Sequence, residues 1–248
     1  MEKAEYRKLA AIEDRMWYFR ALHAHGEREL LAALPRNGAA AILDAGCGTA
    51  GFIRRLASHR PQWQWTGVDL EPLALELARE RAGEKAKIVE ASVTALPFPD
   101  GAFDAVTSLD VIYHVQDDAA ALRQFFRVLR PGGAVVLNVP AYRWLWSYHD
   151  EATHARRRYG RDELLTKIRE AGFVEARATH WNTLPFPLVV ARRKLLPAPR
   201  GGSDVEVFPA PVEGAFNVAM SLERGWLRGV GRLPFGSSIL AVARKPAG

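Results

Sequence analysis

The feature that most constrains this chain is a regular alternation of short apolar segments with amphipathic ones between residues 40 and 140. Five segments are predicted as strands: Ala40–Ala45, Trp63–Asp69, Ala86–Glu90, Phe103–Leu109 and 134–139. Residues 52–58, 72–82 and 119–129, which separate most of these strands, have the apolar spacing of amphipathic helices. Strands joined by such helices form a parallel sheet with helices on both faces. The sequence therefore predicts an α/β, doubly wound sheet.

The flanking segments extend this prediction. Residues 2–34 have the spacing of two helices, and Asn37 and Gly38 end them. Beyond the fifth strand we predict a helix over 161–171 and two more strands over 173–181 and 237–245. The proline- and glycine-rich segment between those strands is too long for a simple loop of a compact domain. We expect an N-terminal helical lid (1–36), a core (37–181 and 237–248) and an acceptor-binding cap (182–236) with a helix near 215–227.

Composition excludes several classes of protein. Cys47 is the single cysteine among 248 residues, so a disulfide scaffold is excluded and a reducing compartment is favoured. No apolar run approaches the 18 or so residues of a membrane span. The first ten residues are charged throughout and lack the apolar core of a signal peptide. We therefore expect a cytoplasmic protein without a membrane span.

A glycine-rich turn follows the first strand. Gly46, Gly48 and Gly51 fit the pattern G-x-G-x-x-G, in which the backbone approaches a ligand closely at the start of a helix. Asp69 ends the next strand, where a carboxylate can accept both hydroxyls of a ribose. Together the two features predict a cofactor that contains adenosine.

Asp44 narrows the choice of cofactor. It stands directly before the glycine turn, where a negative charge would repel the pyrophosphate of a dinucleotide but attract an ammonium or sulfonium group. A nicotinamide-dependent dehydrogenase is therefore the least favoured class.

Four motifs in order carry a family resemblance. The run LDAGCGT (43–49) resembles the first motif of class I S-adenosylmethionine-dependent methyltransferases, and GVD (67–69) is similar to their ribose-binding motif. ALPF (95–98) with GAFD (101–104) resembles the approach to their fourth strand, and RVLRPGG (127–133) the turn before their fifth. MWYFR (16–20), WLWSYHD (144–150) and HARRRY (154–159) extend the likeness to a methyltransferase type 11-like bacterial subgroup that acts on small molecules and in glycan pathways.

The resemblance implies a Rossmann-like, seven-stranded sheet with an antiparallel final strand, and S-adenosyl-L-methionine as the cofactor. It also implies a set of cofactor-binding residues: Tyr18, Asp44, Gly46, Cys47, Gly48, Asp69, Leu70, Ser92, Val93, Leu109 and Asp110. The chain departs from the family at two positions. Ala50 replaces a glycine, and we expect a turn shifted onto Gly51 to absorb this change. Ser92 replaces an acidic residue and would bind the adenine more weakly through its hydroxyl.

Three histidines are candidates for a general base. His114 follows the fourth strand, and His149 and His154 follow the fifth, at the edge of the sheet where ligands bind. A hydroxyl or amine acceptor needs such a base near neutral pH. Cys47 is expected to pack rather than react. The cluster of His149, Asp150 and His154 lacks a firm ligand pattern, so no metal is predicted.

Charge is distributed unevenly along the chain. Residues 151–248 carry 16 basic and 9 acidic side chains, a net charge of +7, while the chain as a whole carries +6. This excess can attract an anionic partner.

We predict methyl transfer to an oxygen or nitrogen of a small molecule, for which an anionic acceptor is one option. The alternatives are an RNA or peptide methyltransferase and a non-methylating protein of the same fold. No stable nucleic-acid partner is expected, and either a monomer or a homodimer is compatible with the sequence.

Overall fold

The computed structural model describes residues 3–35, 38–198 and 204–248. The strands are β1 (Ala40–Ala45), β2 (Trp63–Asp69), β3 (Ala86–Glu90), β4 (Phe103–Leu109), β5 (Leu129–Pro140), β6 (Val174–Trp181) and β7 (Ser238–Arg244). The helices are α1 (Lys3–Ile12), α2 (Trp17–Ala33), α3 (Gly51–His59), α4 (Pro72–Ala82), α5 (Asp118–Val128), α6 (Tyr148–Ala152), α7 (Arg161–Glu170), α8 (Phe186–Lys194) and α9 (Ala210–Val230). The predicted helix start at Glu2, the stop at Asn37 and residues 199–203 of the predicted cap lie outside the described residues.

The seven strands form one sheet in the order β3-β2-β1-β4-β5-β7-β6. Strand β1 pairs in parallel with β2 and β4, and β4 pairs in parallel with β5. Strand β7 runs antiparallel to both of its neighbours, β5 and β6. The predicted Rossmann-like sheet with an antiparallel final strand is confirmed.

The order of the strands reverses at β1. The chain continues from β1 through β2 to β3 on one side and then crosses to β4 on the other side. In the register of the sheet, Asp44 of β1 lies between Gly67 of β2 and Thr107 of β4. In open α/β sheets ligands bind outside the carboxyl ends of the strands at such a reversal. The fold therefore places a site at the end of β1.

Alternating residues of the strands supply two cores, one on each face of the sheet. Leu43 points to the face covered by α5 and α7, where its cluster includes Leu122, Phe125 and Ile168. Ile42 points to the opposite face, where the helices that contribute most buried residues are α2 and α3, with Leu30 and Ile53, and where α9 adds Met220. Successive side chains of a strand point to opposite faces, so these nearly continuous apolar strands fit a sheet that is covered on both sides.

The cap segment differs from the prediction in its helices. The predicted helix over 215–227 lies inside α9, which is longer at both ends. Helix α8 is not among the predicted elements, and Pro185 and Pro187 stand at its N-terminus. Proline is tolerated in the first helical turn, where the amide hydrogen that it lacks has no partner. None of the helices within the described ranges is long and apolar enough to cross a bilayer.

Candidate active site

A cavity of about 1400 Å³ lies at the carboxyl edge of the sheet. Every residue that the sequence predicted for the site lines it: Tyr18, Asp44, Gly46, Cys47, Gly48, Asp69, Leu70, Ser92, Val93, Leu109, Asp110, His114, His149 and His154. The structure thus brings both groups of predicted residues, those for the cofactor and those for proton transfer, to one space.

The glycine turn forms the floor of the cavity. Gly46 has a φ of +88°, and a Cβ atom there would lie 2.4 Å from Cγ2 of Val111. No larger residue fits at that position without a shift of Val111. The carbonyl of Val68 accepts hydrogen bonds from the amides of Gly46 and Cys47, both at 2.8 Å. The turn is therefore fixed to the end of β2.

The expectation of a turn shifted onto Gly51 is wrong. Ala50 itself adopts the left-handed conformation, with a φ of +58°, and directly precedes α3. Gly51 is needed for a different reason: a Cβ atom on it would lie 2.2 Å from Oε1 of Glu13. The alanine is therefore held in a strained backbone conformation, because the left-handed region has a higher conformational energy for an L-residue than for glycine.

Asp69 is held by three backbone amides. Its Oδ2 accepts from the amide of Gly48 at 2.9 Å, and its Oδ1 accepts from the amides of Leu70 and Glu71 at 2.8 and 3.1 Å. A carboxylate has about four acceptor positions, so Oδ2 can still accept from a ligand. The orientation of Asp69 is therefore suited to binding the hydroxyls of a ribose.

Asp44 is buried at the end of β1. The hydroxyl of Thr107 donates to its Oδ1 at 2.7 Å. Burial raises the pKa of Asp44 to about 7, against the lowering effect of that hydrogen bond. A carboxylate so poorly solvated is stabilised by a cation. The ammonium group of an amino-acid moiety would supply that cation.

Asp110 also lines the cavity and directly follows β4. It accepts from the hydroxyl of Tyr18 at 2.8 Å and from Nδ2 of Asn138 at 2.7 Å. Asn138 in turn accepts from Nε1 of Trp181 at 2.7 Å. Burial raises the pKa of Asp110 to about 6, although both of its hydrogen bonds lower it. The sequence prediction missed Asn138, whose signal was an amide inside the otherwise apolar strand β5.

Ser92, Val93 and Leu70 occupy the third side of the cavity. The hydroxyl of Ser92 lies 2.8 Å from that of Thr94 and also accepts from the Thr94 amide at 3.2 Å. Val93 is buried, whereas Leu70 is exposed at the rim. An apolar residue on either side and a hydroxyl between them suit the face and edge of an adenine.

His114 is the candidate base with a free lone pair. Its Nδ1 lies 3.3 Å from the carbonyl of His154. A carbonyl only accepts, so Nδ1 carries the hydrogen and Nε2 keeps its lone pair. Burial lowers the pKa of His114 to about 4, so the ring is neutral at pH 7. The lone pair of Nε2 is free to accept a proton, and burial makes this nitrogen a weaker base than that of an exposed histidine.

The other two histidines are placed differently. The amide of Asp204 donates to Nδ1 of His149 at 3.1 Å, which occupies the lone pair that a base needs on that nitrogen. Burial lowers the pKa of His149 to about 4 as well. His154 is exposed at the cavity and adopts a φ of +55°. Their part in proton transfer stays a prediction.

Glu13 is a cavity residue that the sequence prediction missed. It is buried and accepts from the hydroxyl of Thr49 at 2.7 Å, and it also forms an ion pair with Arg81. Burial raises the pKa of Glu13, and the charge of Arg81 opposes that rise. These contacts join the segment after α1 to the glycine turn and to α4. Nothing in the local sequence distinguishes Glu13 from a surface residue of a helix.

Metal ligation has no geometric basis in residues 3–35, 38–198 and 204–248. No three His, Cys, Asp or Glu side chains there lie close enough together to hold an ion. Cys47 is buried beside the glycine turn, and burial raises the pKa of its thiol. A protonated, buried thiol packs rather than reacts.

The polar groups of the cavity match one kind of cofactor. Asp69 suits a ribose, and Asp44 suits an ammonium group. The glycine turn between them has no basic side chain among the cavity residues that would neutralise a pyrophosphate. The fold and the cavity therefore fit an S-adenosylmethionine-binding domain of the class I methyltransferase type.

Comparison with known proteins agrees with this class. Residues 43–137 match the family described as "Methyltransferase domain". The demethylmenaquinone methyltransferase of Deinococcus radiodurans is 38% identical over 112 residues, which are 44% of this chain and 45% of that protein. The chain thus spans less than half the length of this curated relative. The predicted resemblance is confirmed: residues 43–137 match a methyltransferase domain, and the cavity suits S-adenosylmethionine as its cofactor.

Solved structures share the fold over most of the chain. The phosphoethanolamine N-methyltransferase 2 of Haemonchus contortus, in complex with S-adenosyl-L-methionine, has a TM-score of 0.60 and 20% identity. That match covers 88% of this chain and 51% of the other. The [4+2]-cyclase SpnF has a TM-score of 0.61 and 21% identity, over 89% of this chain and 80% of its own. One fold thus carries different activities, so the acceptor must be argued from the site.

Proposed function

We propose that this protein transfers the methyl group of S-adenosylmethionine to an oxygen or nitrogen of a small-molecule acceptor that carries a negative charge. The size and continuity of the cavity carry the proposal. A volume of about 1400 Å³ exceeds the roughly 300–1,000 Å³ of pockets that hold one small ligand. The space that remains beyond Asp44 and Asp69 is suited to a second molecule.

The acceptor end of the cavity contains four arginines, of which Arg158 is paired with Asp150 and Arg193 with Asp204. Arg156, Arg158, Arg192 and Arg193 line it, together with His114. Arg158 is buried and already donates to Asp150 at 2.7 Å and to the carbonyl of Ala141 at 3.0 Å. A guanidinium has five N–H donors, so these arginines keep donors for a carboxylate or phosphate of the acceptor. The predicted roles of α1, α2 and the 182–236 segment as lid and cap belong to this proposal, since residues of both segments line the cavity.

When bound, the cofactor supplies an electrophilic methyl group on a sulfonium. The protein orients the acceptor and excludes water, and such alignment alone can supply effective molarities of roughly 10⁵ M or more. Nε2 of neutral His114 takes the proton that the acceptor hydroxyl or amine loses. We expect His114→Asn to lower kcat by about 10²-fold at saturating cofactor, whereas His154→Asn, in the segment after β5, lowers it far less.

The first experiment is calorimetric titration with S-adenosylmethionine, S-adenosylhomocysteine and NADH. We expect micromolar binding of the first two and none of NADH. Asp69→Asn keeps the shape of the side chain and should weaken binding by about tenfold or more, whereas Asp162→Asn, on an exposed turn of α7, should not. Absence of binding by both sulfur compounds would overturn the proposed function.

A second experiment distinguishes the acceptors. Release of S-adenosylhomocysteine is measured with panels of carboxylated or phosphorylated phenols and amines, with RNA and with peptides. Turnover with small anionic compounds supports the proposal. Turnover with RNA or peptides alone assigns the basic C-terminal third to a macromolecule. Cofactor binding without turnover on any panel favours the non-methylating alternative.

A further inference from the structure

Helix α8 presents apolar side chains to the cavity. Leu188, Val189 and Ala191 line it, and none of the nine residues of α8, which all lie within the described ranges, is buried. Leu188 is 61% exposed. A helix normally turns its apolar residues to the core and its polar residues to solvent. The apolar residues of α8 are therefore left without a core and face the space of the cavity.

Two further segments add apolar residues to the same cavity. Leu196, which follows α8, is 55% exposed, and Val212 in the first turn of α9 is 40% exposed, although both line the cavity. Phe216 lies one turn after Val212 and so on the same face of α9. Its ring stacks on that of Trp17, with 4.7 Å between the ring centroids. These residues form an apolar surface inside the cavity, which we call the α8–α9 wall: Leu188, Val189, Leu196, Val212 and Phe216.

The segment that precedes α9 joins the two parts of the α8–α9 wall. Asp204 in this segment accepts from Nε of Arg193 in α8 at 3.0 Å, and the ring of Phe208 lies 5.8 Å from that of Phe216 in α9. The amide of Asp204 also donates to Nδ1 of His149 at 3.1 Å. The α8–α9 wall therefore borders the end of the cavity that the proposed function assigns to the acceptor.

A cationic side chain stands one helical turn from this apolar surface. Arg192 follows Leu188 by four residues and so lies on the same face of α8. Its guanidinium lies 5.4 Å from the centre of the Tyr148 ring and donates to the carbonyl of Pro197 at 2.7 Å. Arg193 has an acidic partner, whereas no carboxylate of the described residues forms an ion pair with Arg192. A guanidinium has five N–H donors, so Arg192 keeps donors for an anion in the cavity.

We propose that the acceptor is an amphiphilic anion, whose charged group binds Arg192 and whose extended apolar part lies along the α8–α9 wall. Covering the wall removes apolar surface from water, which favours binding in proportion to the area buried. A small, wholly polar acceptor would leave that surface in water. The inference rests on the proposed function and adds an apolar part to the anionic acceptor named there.

A small molecule fits the α8–α9 wall better than a second copy of the chain does. The wall belongs to the same cavity of about 1400 Å³ that contains Asp44 and Asp69. Sites for small molecules are concave and mostly apolar, with a few polar groups that fix the orientation of the ligand. Arg192 and His114 are such groups at the acceptor end. The surface of another folded chain would not fill a space of this shape.

The test is calorimetric titration of the full chain, saturated with S-adenosylhomocysteine, with butanoate, heptanoate and decanoate. Each extension by three methylenes should raise the affinity by about tenfold or more, since one buried methylene contributes about fourfold. Decan-1-ol lacks the charge and should bind about tenfold more weakly than decanoate. Arg192→Gln should abolish that difference. Arg228→Gln, on an exposed position of α9 outside the cavity, is the control and should preserve it.

A pair of double variants locates the apolar contact. Leu188→Gln, Val212→Thr should lower the affinity for decanoate by about tenfold or more and change that for butanoate little. The matched control carries the same two changes on the outer side of α9, Leu222→Gln and Val218→Thr, at exposed positions that do not line the cavity. It should bind decanoate as the wild type does. Thermal unfolding of each variant checks the fold.

Binding of S-adenosylhomocysteine separates this inference from the proposed function. Its absence in the wild type would overturn the proposed function and the inference with it. If S-adenosylhomocysteine binds but the affinity for the carboxylates does not depend on chain length, the amphiphilic acceptor alone is overturned. Equal weakening by the two double variants would also overturn it, because decanoate would then bind outside the cavity. So would a dimer in sedimentation that only Leu188→Gln, Val212→Thr abolishes, since a second copy would then cover the α8–α9 wall.

Discussion

The hydroxyl of Tyr18 in α2 donates a 2.8 Å hydrogen bond to Asp110, which lies after β4 and 92 residues further along the chain. The ring of Tyr18 also stacks on Trp181 at the end of β6, with 5.2 Å between the ring centroids. Trp181 donates to Asn138 of β5, and Asn138 donates to Asp110. These contacts form a closed ring of four residues, so the position of α2 is coupled to the Asp110 carboxylate in the cavity.

Tyr18→Phe should therefore affect stability and cofactor binding together. The variant leaves one oxygen of the buried Asp110 without its donor, and hydrogen bonds to charged groups contribute about 1.5–3 kcal/mol. We expect the free energy of unfolding to fall by about 2 kcal/mol and the Kd of S-adenosylmethionine to rise several-fold. Urea denaturation and calorimetry measure the two effects.

Tyr148→Phe is the matched control. It removes the same atom from a hydrogen bond of 2.5 Å to Asp204, at the acceptor end of the cavity. Cofactor affinity should stay at the wild-type value in this variant. An equal loss of cofactor affinity in both variants would mean that Tyr18 has no special relation to the cofactor region.

Ala50 and Gly51 should respond to substitution in opposite directions. Ala50→Gly relieves an alanine at a φ of +58°. A residue there costs roughly 1–2 kcal/mol in the left-handed region, partly offset by the greater freedom of glycine in the unfolded chain. Gly51→Ala places a Cβ atom 2.2 Å from Glu13 and should destabilise by about 1–3 kcal/mol.

Thermal unfolding of the two variants side by side checks this prediction. A rise in Tm of a few degrees is expected for Ala50→Gly and a fall for Gly51→Ala. A gain in stability from Gly51→Ala would show that Glu13 moves aside freely.

Most of the sheet could be predicted from the sequence because its strands are short, apolar and bounded by turn residues. The predicted limits of β1 through β4 coincide with the observed strands. The site residues on these strands followed directly, since Asp44 and Asp69 stand at strand ends. The carboxyl ends of parallel strands meet at one edge, so their proximity in space needed no structural information.

The rest depends on contacts between distant segments. Glu13 has no local pattern that marks it, and Glu13, Asn138 and Arg158 each acquire their role from partners in other segments. Helix α8 begins at prolines that locally predict a break. Helix α9 has apolar residues on both its buried and its exposed sides, so only the packing reveals which of its faces is exposed.

Asp150 and Arg158 form a buried ion pair, with Nε of Arg158 2.7 Å from Oδ1 of Asp150 and both side chains almost fully enclosed. Breaking such a pair leaves a buried charge without its partner and costs about 3–5 kcal/mol. Asp150→Asn keeps the shape and one acceptor, so we expect a loss near the lower value, about 3 kcal/mol, in urea denaturation.

The exposed pair of Arg161 and Asp162 provides the comparison. Its atoms lie 2.9 Å apart, but Asp162 is 83% exposed. Water screens such pairs, so Asp162→Asn should leave the free energy of unfolding unchanged within error. If both asparagine variants behave alike, burial does not strengthen the Asp150–Arg158 pair.

Asp44 should make stability and cofactor affinity respond to pH in opposite ways. Burial raises its pKa from 3.8 to about 7, so between these values the folded, free protein binds a proton that the unfolded chain does not. The stability of the free protein contributed by this group is therefore present below pH 4 and is lost as pH rises toward 7. Comparison of denaturation midpoints for the wild type and Asp44→Asn across this range isolates the contribution.

Cofactor binding follows the opposite course because an ammonium group needs the ionised carboxylate. Below pH 7 the Kd of S-adenosylmethionine should rise by up to about tenfold per pH unit, as expected for one linked proton. Calorimetry at pH 6 in buffers of different ionisation enthalpy should detect that proton as it is released. Asp110, with a pKa of about 6, can add to the release, so the decisive quantity is the difference between the wild type and Asp44→Asn. Equal proton release by the wild type and Asp44→Asn would mean that the ammonium group does not bind Asp44. Asp110 would then be the carboxylate that binds it.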